Sequence, residues 1–294
     1  MEGFLQHCSE PRRERQAYAD RPFHAPQVTC ACRRARRNET LLDMRELDVA
    51  VQASRAAVET AQRMQAGITA DTKPDDSPVT AADRECERLI TEILTAAFPD
   101  DGILGEEGAR RESRSGRRWI VDPIDGTRDY LRGNPLWANL IALEADGEVV
   151  LGVVNLPGLG KLYTGARGQG ANCNGRPMHA SSKTVIEDSV LCFNSFNKLE
   201  HVPFRETFVE WAARFWAFRG LGGAEDAMMV AAGEAEVFIE PSAAAWDFAP
   251  LQVIAEEAGA VFLNFDGGRS IHARNAVICA PGLAPEMRRL LGLR

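Results

Sequence analysis

The most informative part of the sequence is Trp119-Ile120-Val121-Asp122-Pro123-Ile124-Asp125-Gly126-Thr127. A short apolar run, typical of a buried strand, leads directly into two carboxylates three residues apart, and Gly126 and Thr127 are placed to open a helix. In α/β folds, binding and catalytic groups collect where strands end, so this stretch predicts a functional site at a strand end. The spacing alone leaves one alternative, a surface turn with two solvated aspartates.

The residue types in this stretch favour a metal ion and a phosphate group. Asp122 and Asp125 offer hard oxygen ligands without a nearby histidine or cysteine, and such ligands suit Mg²⁺ rather than zinc. At a helix N-terminus, the N–H groups of Gly126 and Thr127 would be free to bind a phosphate. The formal net charge of the chain is -8, so an anionic ligand would need a metal ion to attract it.

Three other stretches place acids at the edges of predicted elements. Gly105-Glu106-Glu107-Gly108 sets two acids between glycines, and we expect Glu107 to face solvent. Asp83 lies three residues after Thr80, as in a capping box at the start of a helix, and this cap would by itself account for Asp83. Asp247 follows an apolar strand at the start of another helix.

From Met44 onward the chain alternates predicted helices and strands, which indicates a mixed α/β architecture. The first helix has one apolar stripe, formed by Leu47, Val51, Ser54, Val58 and Ala61. Further helices are expected over residues 80–98, 204–215, 224–232, 248–258 and 285–291. Strands are expected over residues 119–121, 136–143, 149–156, 161–166, 190–193, 237–240, 260–263 and 276–280. The glycine-rich residues 168–175 are expected to form a loop.

Composition argues against several classes of protein. The 294 residues are 45% hydrophobic and 26% charged, which is typical of a globular chain. No apolar run approaches the roughly 18 residues of a membrane helix, and the acidic balance argues against a nucleic-acid binder. The seven cysteines are irregularly spaced and no signal peptide is visible, so we expect reduced thiols and a cytoplasmic protein. His24, Cys30 and Cys32 lack a fourth ligand for zinc.

Residues 1–43 differ from the rest of the chain. They contain eight arginines, no lysine and few large aliphatic residues, so we expect a disordered N-terminal extension. The segment is interpreted as a loose extension, as a targeting peptide, or as translated upstream sequence with the start at Met44; its acids count against targeting. We assign it no function, although its arginines could contact an anionic partner.

Taken together, the four acidic stretches resemble the inositol monophosphatase family of Mg²⁺-dependent, lithium-sensitive phosphatases. The family pattern is D-x-S-x-x-T-x-A-D, here from Asp75, then G-E-E, W-I-[IV]-D-P-[IL]-D-G-T and a later W-D, and all four occur in this order. The resemblance covers residues 44–294. It implies a layered αβαβα sandwich of the inositol monophosphatase and fructose-1,6-bisphosphatase type, with an N-terminal α+β half (44–185), a C-terminal α/β half (186–294) and a homodimeric assembly.

The resemblance also implies a set of metal ligands for two to three Mg²⁺ ions. Glu106, Asp122 and the main-chain carbonyl of Ile124 would hold the first ion. Asp122, Asp125 and Asp247 would hold the second, and a weaker third ion would touch Glu106. Such convergent acids repel one another without metal, so we expect Mg²⁺ to stabilise the fold.

By the same resemblance, two further residues take part in catalysis. Thr127, oriented by Asp83, would help Glu106 position and activate the attacking water. Gly126 and Thr127 would hold the phosphate through their N–H groups. A catalytically dead scaffold is the non-enzyme alternative, but it would be expected to have lost a metal-binding acid, and none is missing.

The resemblance implies a small phosphate ester as the substrate. Two stretches resemble the histidinol-phosphate phosphatase branch: the residues around Trp137 and those from Glu240 to Trp246. Trp137 could equally be a core aromatic. In both branches a glutamate at the position of Glu240 contacts the substrate. One departure is the missing aspartate near Gly223, which leaves Glu225 as the candidate for the amine of histidinol. Inositol-1-monophosphatase and 3'(2'),5'-bisphosphate nucleotidase remain the alternatives.

Overall fold

Three β-sheets and seven α-helices make up the described part of the chain, which is residues 44–74 and 77–293 of a computed structural model. The predicted disorder of residues 1–43, and the aspartate that opens the first motif, lie outside the described residues. Within these ranges no helix is both long and apolar enough to cross a membrane.

The helices, numbered in chain order, are α1 (Met44–Met64), α2 (Ala81–Ala97), α3 (Thr127–Leu131), α4 (Phe208–Ala212), α5 (Gly223–Ala231), α6 (Ala245–Glu257) and α7 (Ala284–Leu290). A two-stranded sheet consists of β1 (Ala70–Thr72) and β2 (Pro78–Thr80). The eight-stranded sheet contains β3 (Gly102–Gly105), β4 (Arg110–Arg111), β5 (Arg117–Asp125), β6 (Ala138–Ala145), β7 (Glu148–Leu156), β8 (Lys161–Ala166), β9 (Gly170–Cys173) and β10 (Arg176–Met178). The five-stranded sheet contains β11 (Val190–Phe193), β12 (Ala217–Arg219), β13 (Val237–Glu240), β14 (Val261–Leu263) and β15 (Ala276–Cys279).

Strand order defines which strand ends meet. The eight-stranded sheet runs β10-β9-β8-β7-β6-β5-β3-β4 and is antiparallel except for the parallel pair β3–β5. The five-stranded sheet runs β12-β11-β13-β15-β14, with β11 parallel to both of its neighbours. The parallel pairs bring the C-terminal end of β3 beside that of β5, and the end of β11 beside that of β13. Ligand sites form at such paired ends.

The two large sheets and the helices that cover their faces form five layers, because side chains alternate between the two faces of each sheet. On β6, Ile141 points toward α1 and α2, whereas Leu140 points toward α5 and α6. On β13, Phe238 faces the same central helices, whereas Ile239 faces the outer layer that contains α4 and α7. This period of two buries both faces of each sheet. The predicted αβαβα sandwich is confirmed.

Helix α6 lies directly against the eight-stranded sheet because β7 has a glycine where the two meet. A Cβ at Gly152 would come within 2.7 Å of Val253 Cγ1 and 2.8 Å of the Pro250 carbonyl oxygen. Any larger residue would push α6 outward. The close approach brings the first turn of α6, which carries Asp247, beside the end of β5.

Several predicted elements differ from the structure. Residues 168–175 are not only a loop, since β9 forms there and pairs with β8 and β10. Residues 204–215 form the single short helix α4 flanked by turns, because the segment is rich in aromatic residues with modest helix propensity. On α1, three residues of the predicted stripe are buried, namely Ser54, Val58 and Ala61, whereas Leu47 and Val51 are only partly buried. The core-facing side also contains the small residues Ala50, Ala53 and Ala57. The predicted boundary at 185/186 falls between the two large sheets; whether the halves are separate domains stays a prediction.

Candidate active site

The predicted strand at 119–121 is part of β5, which continues through Asp125 with a bulge instead of ending in a turn. The pairing of β5 with β6 shifts register between Asp122 and Asp125. Opposite this shift, the Asn139 side chain donates to the carbonyl oxygens of Asp122 (3.3 Å) and Pro123 (3.1 Å). A bulge turns the side chains of a strand, and here it lets two carboxylates three residues apart face the same site.

Three carboxylates meet at this strand end. Oxygen atoms of Asp122, Asp125 and Asp247 lie within 4.8 Å of one another. Asp247 is held by the N–H of Ala244, which donates to its Oδ2 at 2.6 Å. Asp125 accepts a hydrogen bond from the N–H of Ala224, at the start of α5. Helices from the central layer therefore fix two of the three acids.

The three carboxyl groups are buried and repel one another, and a bound cation would offset their negative charge. Burial, with the repulsion of Asp247 and Glu106, raises the pKa of Asp125 to about 8. Burial, with the repulsion of Glu106, raises the pKa of Asp247 to about 7. The pKa of Asp122 is also raised well above its ordinary value by burial and by the neighbouring acids. An all-oxygen, acidic donor set fits Mg²⁺, which prefers carboxylates and keeps several waters.

Glu106 joins the site from the adjacent strand. Its N–H donates to the Val121 carbonyl oxygen at 3.0 Å, and its charge contributes to the raised pKa of Asp122. Lys73 Nζ lies 2.7 Å from a carboxylate oxygen of Glu106 and 2.7 Å from one of Glu107. The prediction that Glu107 faces solvent is wrong: its side chain is 6% exposed, and burial raises its pKa to about 7.

Asp83 contacts residues of two elements. It completes the capping box of α2, because the N–H of Thr80 donates to its Oδ2 at 2.8 Å. Its other oxygen, Oδ1, lies 3.3 Å from the hydroxyl of Thr127. The Thr127 hydroxyl also lies 3.2 Å from the carbonyl oxygen of Ile124. Asp83 thus links the start of α2 to the start of α3.

A tight turn at Gly126 connects β5 to α3. Gly126 has φ 84°, in the left-handed region, and a Cβ there would lie 3.2 Å from the Leu136 carbonyl oxygen. Glycine meets both requirements at little cost. The first N–H groups of a helix have no partner within the helix, so the turn presents donors for an anion.

A cleft of about 520 Å³ collects the predicted residues. Its lining includes seven of them, namely Glu106, Asp122, Ile124, Asp125, Gly126, Thr127 and Asp247. Asp83 reaches this group through Thr127. A second cavity of about 170 Å³ shares Asp125 and Asp247 with the cleft and has Glu240 in its wall.

Glu240 ends β13 and is only 3% exposed. The Asn194 side chain donates to its Oε2 at 2.7 Å, and the N–H of Ser242 donates to its Oε1 at 3.0 Å. Burial raises the pKa of Glu240 to about 7. Phe238, Phe248 and Leu251 supply apolar walls around it.

Asn194 and Ser195 line both cavities and were missed by the sequence interpretation. They follow β11, the parallel neighbour of β13, so their position at the site depends on strand order. Ser195 also has φ 56°, an uncommon conformation for a residue other than glycine. A polar pair directly after an apolar strand was the only signal in the sequence.

One predicted substrate contact, Glu225, and the aromatic residue Trp137 lie outside the linings of these two cavities. Glu225 is absent from the lining of both cavities, and its Oε1 lies 3.0 Å from Lys161 Nζ of β8. Its place on α5 turns the side chain toward the eight-stranded sheet. Trp137 is 3% exposed and packs edge-to-face on Tyr130, so it is the core aromatic of the two alternatives.

Comparison with known proteins assigns the fold and site to a class. The family model described as the inositol monophosphatase family matches residues 41–291, and the chain belongs to that family. It is a phosphoric monoester hydrolase. Members of the family depend on a metal, generally Mg²⁺, and the acidic cluster in the cleft agrees with this property.

Curated relatives carry more than one name. The histidinol-phosphatase of Chlorobaculum parvum is 42% identical over 199 residues, covering 68% of this chain and 77% of that protein. The histidinol-phosphatase of Streptomyces coelicolor is 34% identical and covers 86% of this chain and 97% of that protein. The inositol-1-monophosphatase of Rhizobium meliloti is 36% identical, and the match covers 68% of this chain and 77% of that protein. The family is therefore shown, whereas the substrate is not.

Solved structures agree with the fold. The extragenic suppressor protein suhB of Bartonella henselae is 32% identical with a TM-score of 0.76, covering 84% of this chain and 98% of that one. An inositol monophosphatase of Thermotoga maritima is 29% identical with a TM-score of 0.77, and the match covers 85% of this chain and 97% of that one.

Proposed function

We propose that this protein is a Mg²⁺-dependent histidinol-phosphatase. The observation that carries the phosphatase part is the convergence of Asp122, Asp125 and Asp247 beside the first turn of α3 in one cleft. The substrate rests on relatives called histidinol-phosphatases at 34–42% identity.

The proposed site would hold two to three Mg²⁺ ions. Glu106, Asp122 and the carbonyl of Ile124 would hold one ion, and Asp122, Asp125 and Asp247 another. Glu106, whose carboxylate pairs with Lys73 in the metal-free protein, would also touch a third ion. When bound, such ions neutralise the charge of a phosphate ester and lower the pKa of a bound water. In this way the acids that repel one another in the metal-free protein would gain their counter-charge.

Thr127 and Asp83 would orient the attacking water. The Thr127 hydroxyl has one proton, and donating it to Asp83 would leave the oxygen lone pairs available to accept a hydrogen bond. The hydroxyl then accepts a hydrogen bond from a water beside Glu106 and aims the water oxygen at phosphorus. The N–H groups of Gly126 and Thr127 hold the phosphoryl oxygens at the helix start.

Glu240 would recognise the leaving group. Histidinol carries an ammonium and an imidazole, so a buried carboxylate with apolar walls is a suitable environment for it. Because burial raises the pKa of Glu240 to about 7, a cation that pairs with it restores its charge and gains a charge-assisted hydrogen bond. An inositol hydroxyl is a neutral donor and would not offset the buried charge of Glu240, which supports histidinol phosphate over the inositol ester.

The decisive experiment measures phosphate release in Mg²⁺ from L-histidinol phosphate and from myo-inositol 1-phosphate. We expect kcat/KM to favour histidinol phosphate by about a hundredfold or more, which is about 2.7 kcal/mol of transition-state discrimination. The Asp125→Asn protein is the blank. A preference for the inositol ester would contradict the proposed substrate and favour an inositol-1-monophosphatase. Faster hydrolysis of adenosine 3',5'-bisphosphate would instead favour the nucleotidase.

Assembly and location are proposals by analogy with the family. A homodimer is expected, and sedimentation velocity of the purified chain would test it. The small phosphate ester is the expected partner, without nucleic acid or membrane, and the protein is expected in the cytoplasm, which fractionation of cells would check.

A further inference from the structure

Glu87 is a buried carboxylate outside the set of predicted site residues. It lies on α2, one turn after Asp83, and is only 4% exposed. Its two oxygens accept hydrogen bonds from main-chain N–H groups of another segment: Oε2 from Glu107 and Oε1 from Ala109, each at 2.7 Å. Two short bonds from one carboxylate to one loop form a specific clamp.

The clamped segment is the loop of residues 106–109 between β3 and β4, which begins with Glu106. Main-chain bonds fix its two ends: the N–H of Gly105 donates to the Ala109 carbonyl oxygen at 2.8 Å, and that of Glu106 donates to Val121 at 3.0 Å. In between, the N–H groups of Glu107 and Ala109 are satisfied by Glu87. The path of the main chain beside Glu106 therefore depends on this side chain.

Gly105 makes the clamp sterically possible. A Cβ on Gly105 would lie 2.1 Å from Glu87 Oε2 and 2.5 Å from its Cδ. The carboxylate packs directly on the main chain of this glycine, so the first residue of the Gly105-Glu106-Glu107 stretch and Glu87 require each other.

Burial of the charged Glu87 carboxylate is unfavourable by itself. Burying a carboxylate costs several kcal/mol unless its oxygens are well hydrogen-bonded. The charge of Arg110 favours the ionised form of Glu87, whereas the charge of Glu106 opposes it. Two converging N–H donors nevertheless need two acceptors. A glutamine offers one acceptor oxygen and one amide group, which would face an N–H.

We propose that Glu87 is a positioning residue for the metal site, which holds the 106–109 loop so that the Glu106 carboxylate faces Asp122. This inference rests on the proposed use of Glu106 as a metal ligand, but it does not depend on the identity of the substrate. Glu87 sets the affinity of the site for Mg²⁺ and touches neither the substrate nor the reacting water.

The test is Mg²⁺ binding by titration calorimetry to the full chain, comparing wild type, Glu87→Gln and Glu92→Gln. Glu92 is the matched control: it lies on the same helix, is exposed and pairs with Arg88. We expect Glu87→Gln to weaken Mg²⁺ binding by about tenfold or more, which corresponds to about 1.4 kcal/mol, and Glu92→Gln to bind as wild type does.

A purely structural role would lower the melting temperature of Glu87→Gln without changing its Mg²⁺ affinity, and that result would overturn the proposal. If Glu87→Gln does not fold, Gly105→Ala decides the matter, because it displaces the carboxylate while leaving Glu87 in place. Gly105→Ala is expected to weaken Mg²⁺ binding, and unchanged binding would again overturn the proposal. Failure of the wild type to bind Mg²⁺ would instead contradict the metal site itself.

Discussion

Single residues in the cleft act against the stability of the metal-free protein. Asp122, Asp125 and Asp247 are each held at a raised pKa by burial and mutual repulsion. A raised pKa means that the charged form is less favourable in the folded chain than in the unfolded one. Functional sites commonly carry such a cost, which the ligand then relieves.

Replacing Asp125 by asparagine should separate this cost from catalysis. Hydrolysis of an aryl phosphate in Mg²⁺ should fall by about a thousandfold or more, because one carboxylate oxygen of the metal set is lost. The melting temperature of the metal-free protein at pH 8 should rise or stay unchanged, since a repelled charge has been removed. Asp100→Asn, at an exposed acid paired with Arg114, is the control. Near-normal turnover of Asp125→Asn would contradict the metal assignment.

Glu240→Ala should alter substrate preference rather than chemistry. The substitution removes the buried acceptor at the cavity wall, and loss of a charged hydrogen bond costs about 1.5–3 kcal/mol. We therefore expect kcat/KM for histidinol phosphate to fall by about tenfold or more relative to that for an aryl phosphate. Steady-state kinetics on both esters provide the ratio. Equal losses on the two substrates would place Glu240 outside the leaving-group pocket.

At the scale of elements, the turn between β5 and α3 combines a conformational and a packing requirement. Gly126 has positive φ, and a Cβ there would also lie 3.2 Å from the Leu136 carbonyl oxygen and 3.4 Å from Trp137 Cα. Gly133, just after α3, has φ 69°, and among the described residues no heavy atom lies within 4 Å of the place that its Cβ would occupy. Both glycines therefore have positive φ, but only Gly126 also lies close to neighbouring main-chain atoms.

Gly126→Ala should therefore cost more stability than Gly133→Ala. A left-handed conformation costs an alanine about 1 kcal/mol, and this is the loss expected for Gly133→Ala in denaturant unfolding. Gly126→Ala should lose about 2–3 kcal/mol and raise the KM for phosphate esters, because the N–H groups at the start of α3 shift with the turn. Equal free energies of unfolding for the two variants would show that the contact with Leu136 is unimportant.

At the scale of the whole molecule, the cleft is assembled from distant parts of the chain. Glu106 comes from the end of β3, Asp125 from β5, and Asp247 from α6 of the central layer. A cation shared by these acids would connect both sheets through the helices between them. Mg²⁺ should therefore stabilise the entire fold, and the size of this effect should depend on pH.

The raised pKa values determine whether stabilisation by Mg²⁺ grows or shrinks with pH. Asp125, with a pKa of about 8, and Asp247, with a pKa of about 7, bind protons in the folded chain at a pH where the unfolded chain has released them. These groups therefore make the metal-free protein less stable as the pH rises from about 4 to about 8. Mg²⁺ needs the deprotonated acids, so its increase of the melting temperature should grow from about pH 6 to about pH 8.5. Differential scanning fluorimetry with and without Mg²⁺ measures this, and an increase that shrinks with pH would contradict the scheme.

Much of the fold was predictable because it depends on neighbours in sequence. The strands at 161–166, 190–193 and 237–240 have the predicted bounds, since their apolar runs are short and bounded by polar residues. The capping box of Thr80 and Asp83 was also predicted, because it involves residues within one turn. The errors at residues 168–175 and 204–215 arose where tertiary pairing or aromatic packing outweighed local propensity.

The acids of the site, the glycine of its turn and the family that they indicate were all readable from the chain alone, because their chemistry and spacing are local properties. The packing of helices and strands decided the rest. It placed Asn194 beside Glu240, turned Glu225 toward Lys161 and buried Glu107 against Lys73. It also gave Glu87 its position under the 106–109 loop. These contacts join residues far apart in sequence, and only the packing of helices on paired strands determines which of them meet.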